Sequence, residues 1–531
     1  MAIAAELLRQ GRKNELWTKY CGYLDLSLDE FMHIQERLLL EQIDMLSKSE
    51  IGKRLLGEKS PGSVEEFRRT VPFTTYADYQ PFLKDRRADA LPAEPYVWGR
   101  TSGHSGVDSI KWAPYTKKMY DQLGEASVGP IIMSCCTQKG EIHLEPEAVM
   151  LLCTAPPPYV SAYISRSIGE QTNATFVPSL VEGEAMDFSA RIAAGFDISM
   201  RTGLDYFYGL ASILAKMGER FESDTGNTKF SSKMLHPAVF FRLVRALITA
   251  KLHKRNVLPR DIWKLKGVLT GGTDTDIYRE RIKYYWGKEP VEGYATTEAG
   301  ILASQSWNCK GMTFNPDSNF LEFIPYEEHL KNKQDPSFQP HTVLFNELEL
   351  GIYELVFTNL MGGVFTRYRV GDLIQVISLG DEELGTDLPQ VRFYSRADDI
   401  IDLAGLARLT ERMIWQVIEA SKVVYVDWIA RKEDLQGDPV LHLYLELNGQ
   451  GGLSAEDLKT SIRGAFQQTG SEFINLEYIL GGDHLQVTRL EAGAFNHYME
   501  ARRLEGADLA HVKPPHMQPS DDIMKALLEG R

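Results

Sequence analysis

The chain has 531 residues, more than one hydrophobic core can organise, so about two to four domains are expected. With 73 acidic against 58 basic residues it carries a formal charge of −15, which argues against a nucleic-acid or anionic-membrane partner and means that an anionic ligand such as ATP needs local positive charge or a metal ion. No apolar run reaches the roughly 18 residues that span a membrane, no basic region precedes a long apolar core at the N-terminus, and the five cysteines (Cys21, Cys135, Cys136, Cys153, Cys309) lack metal-like spacing, so a reduced cytoplasmic setting without membrane insertion is expected.

Residues 15–58 read as helical, opened by the capping box Ser27-Leu28-Asp29-Glu30 and followed by Phe31, Ile34, Leu38 and Met45 on one face. Residues 59–95 carry prolines at 61, 72, 81, 92 and 95 and read as turn-rich. A helix is expected from Tyr115 to about Ser134, starting near Thr116. From 145 to 310 short apolar runs alternate with helical stretches, the mark of α/β layering. The expected elements are a strand at Val149–Cys153, a helix at Leu204–Met217, a strand at Gly267–Thr270 ending in Gly271-Gly272, a helix at Tyr278–Tyr285 and a strand at Pro290–Tyr294. Antiparallel strands are expected within 342–377. After about residue 397 the texture changes: Leu441, Leu443, Leu445 and Leu447 alternate with polar residues as in a half-buried strand, and Ser454–Asp457 caps a helix. The division expected is 1–396 and 397–531, the second a small α+β domain, with a brief helix in the tail beyond Pro514.

Residues 100–111 read Arg-Thr-Ser-Gly-His-Ser-Gly-Val-Asp-Ser-Ile-Lys. Hydroxyls of Thr101, Ser102 and Ser105 alternate with Gly103 and Gly106, whose missing Cβ lets backbone N–H groups close on a polyphosphate. Lys111 would supply a point charge. The spacing is not that of a Walker loop, and by itself the stretch is equally a Gly/Ser-rich surface turn. Three further patches carry chemistry. In Gly293-Tyr294-Ala295-Thr296-Thr297-Glu298, shortly after Gly271-Gly272, the glutamate suits Mg²⁺ and Tyr294 a base; a solvated strand end is the other reading. In Thr366-Arg367-Tyr368-Arg369-Val370-Gly371-Asp372 the aspartate can accept from ribose hydroxyls or simply follow a turn glycine. In Ser395-Arg396-Ala397-Asp398-Asp399 the arginine can fork onto ribose or phosphate and Asp398 stands where a hinge would lie, or the stretch is a charged linker.

In this order, ahead of a small C-terminal domain, the patches resemble the layout of adenylate-forming enzymes of the luciferase-like superfamily. More narrowly the chain resembles a bacterial-type member of the Gretchen Hagen three family of acyl acid amido synthetases, through Thr-Ser-Gly-His-Ser-Gly with Lys111, Tyr-Ala-Thr-Thr-Glu, Tyr-Arg-Val-Gly-Asp and the approach Val71-Pro72-Phe73-Thr74-Thr75-Tyr76, from about residue 15 to Lys513. The resemblance implies a large N-terminal domain of mixed sheets with flanking helices and a β-barrel-like part, and a small mobile α+β lid. It implies ATP and Mg²⁺ as cofactors, with Thr101, Ser102, Ser105 and Lys111 on the phosphates, Tyr294, Thr296 and Thr297 on the adenine and α-phosphate side, Glu298 on the metal, Asp372 and Arg396 on ribose, and Lys513 presented to the adenylate. His104 departs from the family's usual Thr or Ser; it either donates to phosphate or points outward.

The activity so implied is adenylation of a small carboxylic acid, releasing pyrophosphate, then acyl transfer to an amine, read as an amino acid. The acyl site is sought among Tyr120, Tyr206 and Tyr208, with Met119, Phe207 and the segment from Val160 to Ile164 beside them; ordinary core packing is the other reading. The rival activities are an acyl-CoA ligase sharing the first step and a non-catalytic nucleotide-binding module. A monomer or dimer is expected.

Overall fold

The computed structural model describes residues 3–101, 110–224, 236–271, 275–397, 399–403, 407–435, 438–449, 453–469, 473–474, 483–505 and 514–529. They fall into two compact units: the first runs to Phe393 apart from Gly371–Leu373, which group with the second, from Tyr394 onward.

The first unit opens with helices. Ser27 accepts from the Glu30 amide (3.3 Å) and Glu30 accepts from that of Ser27 (2.9 Å), so the capping box starts Leu28–Ser47 as expected. Its buried face carries Phe31, Leu39, Ile43 and Leu46 but also Gln35 and Gln42. Those amides are not misplaced: Gln35 accepts from the Leu321 amide and Gln42 from that of Gly362, tying a strand and a loop of the central sheet to the helix. The stretch 59–95 is more ordered than its prolines suggest. It holds helices Val64–Thr70, capped by Ser63, and Tyr76–Leu83, capped by Thr75 with Asp78. The prolines at 61, 72, 92 and 95 lie outside them, and only Pro81 is interior.

An eleven-stranded sheet organises this unit. Across it run Asn319–Pro325, Gly351–Asn359, Tyr368–Ser378, Gln390–Arg396, Met312–Phe314, Gly300–Gln305, Val291–Thr296, Gly267–Gly271, Tyr206–Leu210, Val149–Leu152 and Thr175–Val177. The last five are parallel, with helices returning the chain between them. From Val291–Thr296 the pairing becomes antiparallel, to Gly300–Gln305 and on to Met312–Phe314. The antiparallel strands therefore extend the same sheet, giving the large mixed sheet expected. One correction concerns Leu204–Met217, expected as one helix: Tyr206–Leu210 is a parallel strand and the helix starts at Ala211. A strand covered on both faces shows no alternation, so its apolar run merges with the helix that follows. Helix Lys117–Met133, capped by Thr116, and strands at Val149, Gly267 and Val291 lie where expected.

In the second unit strands Tyr425–Leu435, Asp438–Leu447 and Leu485–Arg489 form a sheet packed with helices Glu411–Ala420, Ala455–Thr469, Ala494–Leu504 and Asp521–Glu529. Asp438–Leu447 is central and buried on both faces, not on one. Its polar face is satisfied internally: His442 pairs with Glu433 (2.7 Å) and Thr488 (2.7 Å), and Glu446 accepts from the amides of Gly493 and Phe495.

Candidate active site

Parallel strands share a direction, so Leu210, Gly271 and Thr296 end at one edge of the sheet. Ligands of α/β sheets bind at that edge, where connectivity changes, and Val291–Thr296 is the strand at which parallel pairing gives way. The turn that follows it carries Glu298.

This turn is tightly built. Thr296 Oγ1 accepts from the Ala299 amide (3.0 Å), the Thr297 carbonyl accepts from the Tyr115 hydroxyl (2.8 Å), and Asn359 donates to the Glu298 carbonyl (3.1 Å). Gly300 closes it at φ +73°, where an added Cβ would meet Leu123 Cδ2 at 2.9 Å. The buried Glu298 side chain faces Tyr368, whose hydroxyl donates to Oε1 (3.3 Å), and Lys111 Nζ lies 3.9 Å from the same oxygen. Burial, then the Glu298 charge, pushes the Tyr115 and Tyr368 phenols above their ordinary range, so both stay protonated donors.

Lys111 sits at the base of the hydroxyl/glycine loop. Strands Val97–Arg100 and Trp112–Tyr115 pair antiparallel. The Thr101 amide donates to the Lys111 carbonyl (3.0 Å), and the Lys111 amide donates to Thr101 Oγ1 (3.1 Å). The Thr101 hydroxyl therefore accepts a bond that closes the loop. Ser102, Gly103, His104, Ser105 and Gly106 lie outside the described residues. Tyr76, which the sequence offered only as part of an approach segment, belongs here: its hydroxyl accepts from the Trp112 amide (2.6 Å) and its ring lies 5.4 Å from Lys111 Nζ.

Of the remaining expected residues in this unit, Tyr294 is buried beside Phe393, with ring centroids 6.1 Å apart, and Gly271 ends its strand facing the Gly293 carbonyl; Gly272 lies outside the described residues. The acyl-site candidates lie on two elements, Tyr120 on helix Lys117–Met133 and Tyr206 and Tyr208 on strand Tyr206–Leu210. Tyr206 stands at the amino end of its strand, away from the ligand edge, and its phenol is pushed up by burial and by Cys135. Tyr208 lies mid-strand with its carbonyl accepting from Cys153 Sγ. Tyr120 donates to the exposed Glu170 (2.9 Å) and meets the exposed Tyr96 edge-on.

In the second unit Gly371 adopts φ +81°, a local kink within its strand, and its carbonyl accepts from the Ala397 amide (2.8 Å). The kink sets Asp372 against Arg396, with Oδ1 and Nη1 3.3 Å apart; the carboxylate side chain is 5% exposed and the guanidinium 47%. A buried acid with a half-exposed cation can accept from a diol while its partner reaches an anion. Asp398 and Lys513 lie outside the described residues.

What aims the motif strand is a set of residues the sequence did not single out for this role. The Thr74 amide donates to the Arg367 carbonyl (3.0 Å), that of Arg369 donates to the Thr74 carbonyl (2.9 Å), and Tyr79 accepts from the Thr366 amide (2.8 Å). Arg367 forks onto buried Glu322 (3.0 and 2.8 Å) and Arg369 onto Glu354 (2.8 and 2.6 Å). Burial would raise the Glu354 pKa, but His329 and Arg369 outweigh it and hold the carboxyl low. Both arginines of the motif are thus structural, and the Val71–Tyr76 segment matters because it pairs with them.

A buried carboxylate 3.9 Å from a lysine thus stands just beyond the carboxyl ends of the parallel strands of an α/β sheet. Residues 23–155 match the GH3 family N-terminal domain and residues 312–396 the GH3 family central domain. No curated protein matches it. Among solved structures it is similar to the AtGH3.15 acyl acid amido synthetase in complex with 2,4-DB, at 14% identity over 93% of each chain with a TM-score of 0.65. It is also similar to 2-hydroxyisobutyryl-CoA ligase in the postadenylation state with R3-HIB-AMP, at 13% identity over 87% of this chain and 86% of that one, TM-score 0.58. At such identities the likeness establishes the fold alone, a large mixed α/β unit with a C-terminal domain.

Proposed function

We propose that this chain is an ATP-dependent acyl acid amido synthetase, a ligase that forms an acyl-AMP from a carboxylic acid and passes the acyl group to an amine, read as an amino acid. The observation that carries the reading is the Lys111–Glu298 pair on the ligand edge of the sheet, held by Tyr76, Tyr115 and Tyr368. The GH3 domain matches and the amido synthetase and CoA-ligase neighbours support it.

A carboxylate oxygen attacks the α-phosphorus and pyrophosphate leaves. Lys111 stabilises charge on the departing phosphates, and the loop Ser102–Gly106 lends backbone N–H groups. Tyr294 and Thr297 take the adenine side, and Asp372 with Arg396 takes the ribose. An amine then attacks the activated carbonyl and AMP leaves; the mixed anhydride is reactive enough that no enzyme nucleophile is needed. Lys513 steadies the carboxylate and α-phosphate, and the second unit turns about the Asp398 region between steps.

Among the described residues no group of three or more His, Cys, Asp and Glu could hold a metal alone. Magnesium bound with a nucleotide needs only one or two carboxylates, the phosphates and water, and Glu298, set beside a hydroxyl donor and a cation, fits that role. When bound, the ion neutralises phosphate charge. Among the described residues no helix is long and apolar enough to cross a membrane. The five free cysteines support a reducing, cytoplasmic setting.

The test is product analysis. Incubating the protein with ATP and an activating acid, then offering a panel of amino acids or CoA, should give an N-acyl amino acid by mass spectrometry. A thioester in place of an amide would transfer the assignment to an acyl-CoA ligase. Intact ATP despite measurable binding, with every acid, would make the chain a binding module.

A further inference from the structure

Helix Pro237–Leu252 of the first unit packs with its faces reversed. Its inner side is built from small residues and cations. Val239, Ala246 and Ala250 are buried, Arg242 donates to the carbonyls of Ser199 (3.0 Å) and Met200 (2.8 Å), and Arg245 donates to those of Asp261 (3.1 Å) and Ile262 (3.3 Å). The large apolar side chains face the other way. Phe240, Phe241, Leu247, Ile248 and Leu252 are all more than half exposed, from 53% for Phe240 to 77% for Leu252, and half-buried Val244 lies among them. At about 100° per residue these six fall within one sector of roughly 140° and form a continuous stripe. A surface helix ordinarily turns such a stripe to the core. At about 200 Å² for a fully open ring and less for an aliphatic chain, the stripe leaves roughly 500–600 Å² of apolar surface. That is the upper end of the largest patch on a soluble monomer.

Area and register both select a second copy of this chain as the occupant. Face to face, two such stripes bury roughly 1,000–1,200 Å², the lower end of a specific protein interface. The stripe runs from 240 to 252 and is centred on the level of Ala246. An antiparallel copy therefore sets Phe240 opposite the second copy's Leu252, and Val244 opposite its Ile248. Phe241 falls opposite Lys251, whose stem can lie on the ring and whose ammonium gains a cation–π contact. The stretch 236–255 has no acidic residue, so a parallel pair would set like charges side by side. In the antiparallel pair the two Lys251 stand roughly 15 Å apart along the axes at about 1.5 Å per residue, beyond the screening length of about 8–10 Å. An anionic bilayer is the poorer partner, because Arg242 and Arg245 are spent on carbonyls and the chain carries −15 overall.

We propose that this face is the interface of a homodimer in which Pro237–Leu252 crosses its copy antiparallel, about a two-fold axis at the level of Ala246. The dimer does not depend on the adenylation reading.

The test uses the full chain in sedimentation velocity. The mass should rise from that of one chain at about 1 μM toward twice that value at about 100 μM, as a small interface implies. Phe241→Glu and, independently, Leu252→Glu should each weaken self-association at least about tenfold and leave the circular dichroism spectrum unchanged, since both side chains are exposed. The register is read by cross-linking. An equimolar mixture of Phe240→Cys and Leu252→Cys chains, oxidised with copper phenanthroline, should give a mixed interchain disulfide. Neither variant alone should do so efficiently, because like positions lie roughly 18 Å apart along the axes. The mass of one chain at every concentration overturns the proposal, as does a dimer that survives both Glu variants. Cross-linking of each variant with itself as readily as with the other overturns the antiparallel arrangement. A single-chain mass together with binding to phosphatidylserine–phosphatidylcholine vesicles that Phe241→Glu abolishes would assign the face to a membrane and overturn the dimer.

Discussion

Replacing Glu298 by Gln separates catalysis from stability. Glutamine keeps the shape and can still accept the Tyr368 hydroxyl, now at 3.3 Å from Oε1. What it loses is the charge facing Lys111. At 3.9 Å and an effective dielectric of about 20 that attraction has a ceiling of about 4 kcal/mol. Lys111 is 39% exposed, so solvent screening brings the net value to about 1 kcal/mol or less. The variant should therefore unfold within about 2 °C of the parent. Catalysis should suffer far more, because a group that holds charge at the reacting phosphates acts in the transition state: a loss of about 10²–10³ in exchange rate is expected, about 3–4 kcal/mol. Acid-dependent ATP–pyrophosphate exchange and a thermal melt on the same preparation decide it. Exchange retained within about threefold would remove Glu298 from the phosphate site; a collapse in melting temperature would make it a structural acid.

Other outcomes follow from the same geometry. Asp372→Ala should raise KM for ATP and erase the preference for ATP over its 2′- and 3′-deoxy analogues, measured by exchange with each nucleotide. Tyr79→Phe should cost about 1–3 kcal/mol of stability in urea titration, because the buried Thr366 amide loses its acceptor, with exchange kinetics changing little. His516, buried between Glu411 and Asp427 in the second unit, holds a pKa of about 10 in the fold against about 6.5 unfolded, so its contribution is full below about pH 6.5 and is lost as pH rises through 10. The destabilisation caused by His516→Gln should accordingly be larger at pH 6 than at pH 9 in paired melts.

Local signals were legible in the sequence. Ser27 with Glu30, Thr116 and Ser454 with Asp457 each mark a helix start because the cap bonds its own first turn. Glu298 and Lys111 could be read as partners only through the resemblance, since nothing local links them. The strand Tyr206–Leu210 was hidden because burial on both faces removes the period-two signal, and with it went the sense of Tyr206, which points into the core at the wrong end of the strand. The parts played by Tyr76, Arg367 and Arg369 were hidden for a related reason. Their partners Trp112, Glu322 and Glu354 are not marked by any local pattern, so nothing in the motif itself shows that these residues aim the backbone.

The central claim is tested most directly by acid-dependent exchange of radiolabelled pyrophosphate into ATP, screened over aryl, indolyl and aliphatic carboxylic acids. At least one acid should drive exchange that vanishes when the acid is omitted. Tight ATP binding without exchange across the whole panel would contradict it.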